Sequence, residues 1–427
     1  RGASLNIQIG DLTARYNQLR KKNRSQHPVL DQILAPKTLS VEEVRARFLT
    51  TSRDAFLEYF VGDSSVFAFL ILPDTLQILE MKKDFPLEAR VREMRTGIYG
   101  YFEPESNLTY KNAARQYAAA ATELYDKIFK PLEPFLPRQA RLTIVPDGAL
   151  GYIPFEALLE KMPENPLDFR SQATLIRSHT ISYACSAGLL WEMKTQKSNA
   201  APLPKVLAFA PSFGGDWKKL AENRGLNVNL RGNQLGPLKN NVPEIRAIKS
   251  QFAADLFEGA AATEARFRAL AGKYSILHLA THGVVNDRMG DFSFLAFHEI
   301  KDDLENEWLF NREIYDLRLN ADLVVLSACE TGVGVFKRGE GIISLARGFS
   351  YAGAKSLVTS LWKVDDAGTK NLMEIFYRNL KNGQPKDEAL RAAKLELIEN
   401  PNKDYAPPFF WAAFIAIGDM RPLSGGN

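Results

Sequence analysis

At 427 residues the chain is too long for one small domain, because single domains commonly run to about 100 to 200 residues, and 45% hydrophobic with 24% charged content excludes a disordered or fibrous chain. Lys plus Arg number 54 against 50 Asp plus Glu, so no global field would gather nucleic acid or an anionic membrane surface, and direct binding of either is not expected. Only two cysteines occur, Cys185 and Cys329, which excludes a disulfide framework and leads us to expect a reducing, cytoplasmic compartment.

The chain opens on Arg1-Gly2-Ala3-Ser4 with neither an initiating Met nor an apolar signal segment behind it, as expected of a cleaved or truncated N-terminus. Residues 1–50 read as a helical lead-in. Leu12, Tyr16 and Leu19 recur at helical spacing, the basic cluster Arg20, Lys21, Lys22 and Arg24 reads as a solvated helix face, and Ser40 with Glu43 spells a capping box before Val41 to Leu49. From Glu58 to Met81 the pattern turns strand-like, with Val66 to Leu72 and Leu76 to Leu79 flanking Pro73-Asp74 as a hairpin. An Ala-rich helix, Ala113 to Phe129, precedes a strand, Arg141 to Val145, that stops at the turn signal Pro146-Asp147-Gly148. After the strand Lys205 to Ala210, helices and buried strands alternate, which predicts a parallel sheet covered on both faces. Strands Ser275 to Ala280, Asp322 to Ser327 and Ser356 to Leu361 lead in turn to His282, to Cys329 and to Trp362-Lys363-Val364-Asp365-Asp366. The longest apolar run, Phe409 to Ile417, is well short of the ~20 residues of a membrane-crossing helix and is expected as a buried strand.

In an open α/β sheet, ligands bind beyond the carboxyl ends of the strands, where loops are free to carry side chains and backbone N–H groups. His282 and Cys329 both follow such ends, and glycines follow each: Gly283 at once, then Gly332 and Gly334. Glycine lets an acyl group come within reach of main-chain donors. A thiol with a free pKa of about 8.5 needs a nearby base to become a nucleophile, and an imidazole near ~6.5 can take that proton and return it to a leaving amine. The pair suffices for acyl transfer through a thioester. On the residues alone, a small packing cysteine and a satisfied structural histidine remain open readings.

The stretches His278-Leu279-Ala280-Thr281-His282-Gly283, Leu326-Ser327-Ala328-Cys329-Glu330-Thr331-Gly332 and Gly339-Glu340-Gly341 followed by Leu345-Ala346-Arg347 resemble the signature of CHAT proteases. So do Ser360 to Asp366, the closing Trp411-Ala412-Ala413-Phe414 and, earlier, Pro154-Phe155-Glu156-Ala157-Leu158. The resemblance runs over roughly residues 110 to 418. It implies a caspase-like α/β fold related to separase and the caspases: a mostly parallel sheet flanked by helices, with a pseudo-protease half supporting an active half. It further implies a catalytic dyad of His282 and Cys329 and an oxyanion hole from the N–H groups of Gly283 and Cys329. Fusion to tetratricopeptide repeats is common in the family, so an upstream repeat domain or a regulatory protein is an expected partner beside the protein substrate.

Asp365 and Asp366 carry two readings. Either caps the next helix, Asp being among the best N-cap residues; or, by similarity to separase, Asp366 with Asp365 beside it binds a basic P1 side chain of the substrate. Cys185, with His179 six residues upstream, is a weaker rival nucleophile and reads better as a packing or pseudo-site residue. The acidic run Asp302, Asp303, Glu305 and Glu307 reads as a solvated loop. His278 and His282 lie on a strand rather than on a helix, which disfavours zinc, and neither a G-x-S-x-G elbow nor a phosphate-binding loop occurs, so no metal or cofactor is expected.

The expected organisation is a lead-in over 1–50, a small region with a β-hairpin over 51–105, the pseudo-caspase half over 106–250 and the active half over 251–420. The expected function is a regulated cysteine endopeptidase that cuts specific protein partners, in bacterial defence or cell-death signalling. A catalytically silent caspase-like interaction module is the alternative.

Overall fold

A computed structural model describes residues 38–103, 106–196, 205–213, 237–284, 293–298, 307–327, 341–362 and 364–423, with the backbone alone described at 341–344 and 366. The expectations for residues 1–37 lie outside this part. The capping box is present: Ser40 Oγ accepts from Glu43 N at 3.2 Å while a Glu43 carboxylate oxygen accepts from Ser40 N at 3.0 Å, opening α1 (Val41–Phe48).

Three antiparallel strands come next, β1 (Asp54–Val61), β2 (Ser65–Ile71) and β3 (Leu76–Lys82), the last two joined by the expected hairpin. They do not stand apart: β1 pairs in parallel with β4 (Arg141–Val145), so the hairpin continues the main sheet. Between them run α2 (Leu87–Tyr99) and α3 (Tyr110–Leu124), packed so closely that a Cβ on Gly97 would stand 2.4 Å from the backbone N of Tyr117.

The chain then gives β5 (Thr180–Tyr183), α4 (Ala187–Thr195), β6 (Lys205–Ala210), α5 (Asn241–Lys249), β7 (Ala253–Glu258), α6 (Glu264–Leu270) and β8 (Ile276–Leu279). After two short strands, β9 (Gly283–Val284) and β10 (Phe294–Ala296), come β11 (Trp308–Phe310), β12 (Leu323–Leu326), α7 (Gly341–Ala352), β13 (Ser356–Ser360), α8 (Asp366–Lys381), α9 (Lys386–Glu399) and β14 (Phe414–Gly418). Among the described residues, eleven strands form one sheet in the order β3-β2-β1-β4-β5-β14-β13-β12-β8-β6-β7, and β11-β10-β9 form a second, small one. Within the large sheet β1, β4 and β5 are parallel, as are β7, β6, β8, β12 and β13, while β14 runs antiparallel to β13. The four residues of β8 and of β12 are all buried, as expected of strands covered on both faces.

One element differs from expectation. The apolar run Phe409 to Ile417 is not one strand: Pro408–Trp411 makes a helical turn, and only Phe414–Gly418 is extended. Pro408 is set for the first turn of a helix, a local preference that an unbroken apolar run conceals.

Candidate functional site

The parallel neighbours β8 and β12 pair with Leu279 opposite Leu326 and His278 opposite Val325, and Ser327 N extends the ladder to Leu279 O at 2.9 Å. Both strands are short and apolar, so the chain leaves the sheet at the same edge in both. Three residues beyond Leu279 stands His282; three beyond Leu326 in the sequence stands Cys329, which lies outside the described residues, as do Gly332, Gly334 and Gly339.

The two histidines of this stretch divide cleanly. His278 is fully buried in the sheet, its Nε2 2.8 Å from a Glu244 carboxylate oxygen on α5 and its Nδ1 3.0 Å from the Tyr377 hydroxyl on α8. Both ring nitrogens are occupied, so His278 serves packing and polar satisfaction. His282 is also buried, and its ring meets that of Phe213 edge to face at 4.6 Å between centroids. Phe213 follows the carboxyl end of β6, two strands from β12, and joins Val284, Phe294, Trp308 and Phe310 in a separate apolar cluster beside the histidine. Sequence reasoning passed over Phe213. Its only signal was a ring placed just past a strand end, at Ala210-Pro211-Ser212-Phe213.

The small sheet orients the backbone on the far side of His282. Ala296 N donates to His282 O at 2.9 Å, and the Thr281 hydroxyl donates to Ala296 O. In an antiparallel ladder, hydrogen-bonded and non-bonded pairs alternate. His282 with Ala296 is a bonded pair, so the next pair, Gly283 with Leu295, is non-bonded, and the Gly283 N–H is turned away from β10.

Asp365 is the N-cap of α8: its Oδ2 accepts from Gly368 N at 2.7 Å. Asp366 is the first residue of that helix, and nothing of its side chain is described. Cys185 lies just past β5 and His179 just before it, so the four-residue strand separates them by roughly 20 Å of extended chain, too far to act as a pair. Burial pushes the Cys185 thiol above its ordinary pKa although the Arg347 guanidinium pulls it down, the opposite of what a nucleophile needs. Glu307 departs from the solvated loop expected for it. It is buried, and its Oε2 accepts from Glu264 N at 3.3 Å, whereas Asp302, Asp303 and Glu305 lie outside the described residues. Among the described residues no group of three or more metal-binding side chains converges, and no helix is long and apolar enough to cross a membrane.

A profile of the CHAT domain matches residues 118–419. The chain belongs to the CHAT domain family. A stretch of 112 residues is 34% identical to tetratricopeptide repeat protein 28 of mouse and, equally, of human, an overlap of 26% of this chain and 4% of either relative. The matched piece is thus a small fraction of those long proteins. Among solved structures, the separase of Saccharomyces cerevisiae, determined with securin, superposes over 88% of this chain and 31% of its own with a TM-score of 0.54 at 8% identity. That likeness is one of fold: a mixed α/β chain with a large, mostly parallel sheet flanked by helices.

Proposed function

We propose that this CHAT domain is a cysteine endopeptidase in which Cys329 is the nucleophile and His282 its acid-base partner. The imidazole takes the thiol proton, the thiolate attacks the scissile carbonyl, and the imidazolium returns the proton to the leaving amine as the thioester forms. Water then hydrolyses the thioester by the same route in reverse. The N–H groups of Gly283 and Cys329 serve as the oxyanion hole. Residues 251–420 carry this chemistry and 106–250 support it.

One observation carries the reading: Leu279 and Leu326 are register partners on adjacent parallel strands, and His282 and Cys329 follow them at the same interval. Three residues span at most about 10 Å, so the length of chain beyond each strand allows the two residues to meet at one edge of the sheet. The Gly283 N–H, turned away from β10, is in keeping with a donor role. Asp366 is the carboxylate we assign to a basic P1 side chain, because Asp365 already caps the helix. The substrate is a protein, cut under the control of an upstream repeat domain or regulator, as fits signalling in defence or cell death.

The test is cleavage of fluorogenic peptides with Arg, Lys or neutral P1 residues, together with candidate protein partners, by wild type, Cys329→Ala, His282→Ala and Asp366→Asn. Loss of either dyad member is expected to lower kcat/KM by about a thousandfold or more, and Asp366→Asn to remove the preference for Arg and Lys. Equal cleavage by wild type and Cys329→Ala would sink the dyad. No cleavage by any form, with no faster alkylation of Cys329 than of Cys185, would favour a silent interaction module.

A further inference from the structure

The face of β1, β2 and β3 that carries α1 is only partly covered. Along it the register sets Phe56, Ile71 and Leu76 in one row, Glu58, Phe69 and Ile78 in the next, and Phe60, Phe67 and Glu80 in a third. The first row is sealed: Phe56 and Ile71 are buried in a cluster with Val44 of α1, against which Leu39 and Leu76 also pack. The other two rows are open. Phe60 is 57% and Ile78 59% exposed, among the largest exposures of any big apolar side chain described, and the Phe60 and Phe67 rings lie 6.3 Å apart across the strands. Glu58 and Glu80 are both exposed beside these four apolar side chains, and Lys82 lies one row farther on. An apolar face of this kind, rimmed by charge, marks an interaction surface.

We infer that residues 12–24 of this same chain dock on that open face, with Leu12, Tyr16 and Leu19 against Phe60, Phe67, Phe69 and Ile78, and with Arg20, Lys21, Lys22 and Arg24 beside Glu58 and Glu80. Three observations choose this occupant. First, the chain reaches the surface from the correct side: Leu39 already packs on the cluster containing Leu76, and Ile78 is the next residue of β3 on that face, about 7 Å beyond. The fourteen residue-to-residue steps from Arg24 to Thr38 can span about 45 Å, so the segment is held near the face at an effective concentration of millimolar order. Second, the apolar spacing of Leu12, Tyr16 and Leu19 is that of a helix laid on an apolar surface. Third, the charges are complementary, four cations against two carboxylates. A second copy of this face would bring the same carboxylates against each other, which disfavours self-pairing. This docking stands independently of the protease chemistry.

The test is a disulfide trap in the full chain carrying Cys185→Ser and Cys329→Ala, with Tyr16→Cys and Ile78→Cys added and folding checked by circular dichroism. A disulfide within one chain is expected under mild oxidant, at a rate independent of protein concentration, and Phe60→Asp is expected to slow it at least tenfold. Phe60 is largely exposed, so this substitution disturbs the face and not the core. Failure to form the bond, a rate that Phe60→Asp leaves unchanged, or a bond between two chains would each overturn the inference, the last in favour of a second copy.

Discussion

At the scale of single residues, the environment of a side chain and not its type decides its work. His278 and His282 are four residues apart and both buried, yet the first is clasped through both nitrogens by Glu244 and Tyr377 while the second stands at the strand end against Phe213. The motif in the sequence marks His282; only packing shows why His278 is not its equal. Glu264 makes the same point for a carboxylate. It is buried, its Oε1 accepts from Arg268 at 2.5 Å and its Oε2 has no hydrogen-bond partner among the described residues. Burial pushes its pKa up to about 7 against the pull of Arg268. A folded-state pKa above the unfolded value of 4.5 means a stabilising contribution that is full below pH 4.5 and lost as pH rises through 7. The ionised form thus costs the fold on the order of 3 kcal/mol at pH 8. Glu264→Gln should flatten the Tm profile between pH 4.5 and 7, and parallel profiles for the two proteins would contradict this assignment.

At the scale of elements, most of the chain was legible because period and punctuation agree. The strands at Arg141–Val145 and Lys205–Ala210 were marked by apolar content and a turn signal, and the Ser40 capping box by spacing alone. The split of Phe409 to Ile417 was not legible, since an apolar run buried on all sides has no period to read. Helix contacts were equally hidden. Gly97 reads as a poor helix former, yet it is where α2 meets the backbone of α3. Alanine there would gain about 1 kcal/mol of helix propensity. A Cβ 2.4 Å from Tyr117 N forces the two backbones apart, typically at about 1 to 3 kcal/mol or more. We therefore expect Gly97→Ala to lower stability in urea unfolding, and an unchanged or higher midpoint would show that the helices can part freely.

At the scale of the whole molecule, the sheet is held together across its middle by buried charge as well as by apolar packing. Lys394 of α9 reaches Glu156, in the Pro154 to Leu158 motif, at 2.9 Å with both side chains almost fully buried, and the Tyr183 hydroxyl donates to the same carboxylate. A second pair, Arg141 with Asp387, is bidentate at 2.6 and 2.8 Å. Breaking a buried pair from one side leaves a charge uncompensated, so Lys394→Met should cost about 3 to 5 kcal/mol in unfolding free energy, and adding Glu156→Gln should restore part of it. A loss below about 1 kcal/mol would mean that Glu156 finds another partner without strain.

The sequence by itself determined much of the local alphabet of this CHAT domain: many of its strands, the Ser40 cap, and the His282 and Cys329 motifs, because hydrophobic period, turn residues and short motifs act over a few neighbours. Tertiary structure alone decided that the hairpin of β2 and β3 extends the main sheet, that β8 and β12 are neighbours in register, that His278 is spent in the core and that Asp365 is consumed as a cap. These outcomes depend on pairings and burials between residues tens to hundreds of positions apart. No local pattern encodes them, since the free energy that selects them comes from surfaces that meet only once the chain has folded.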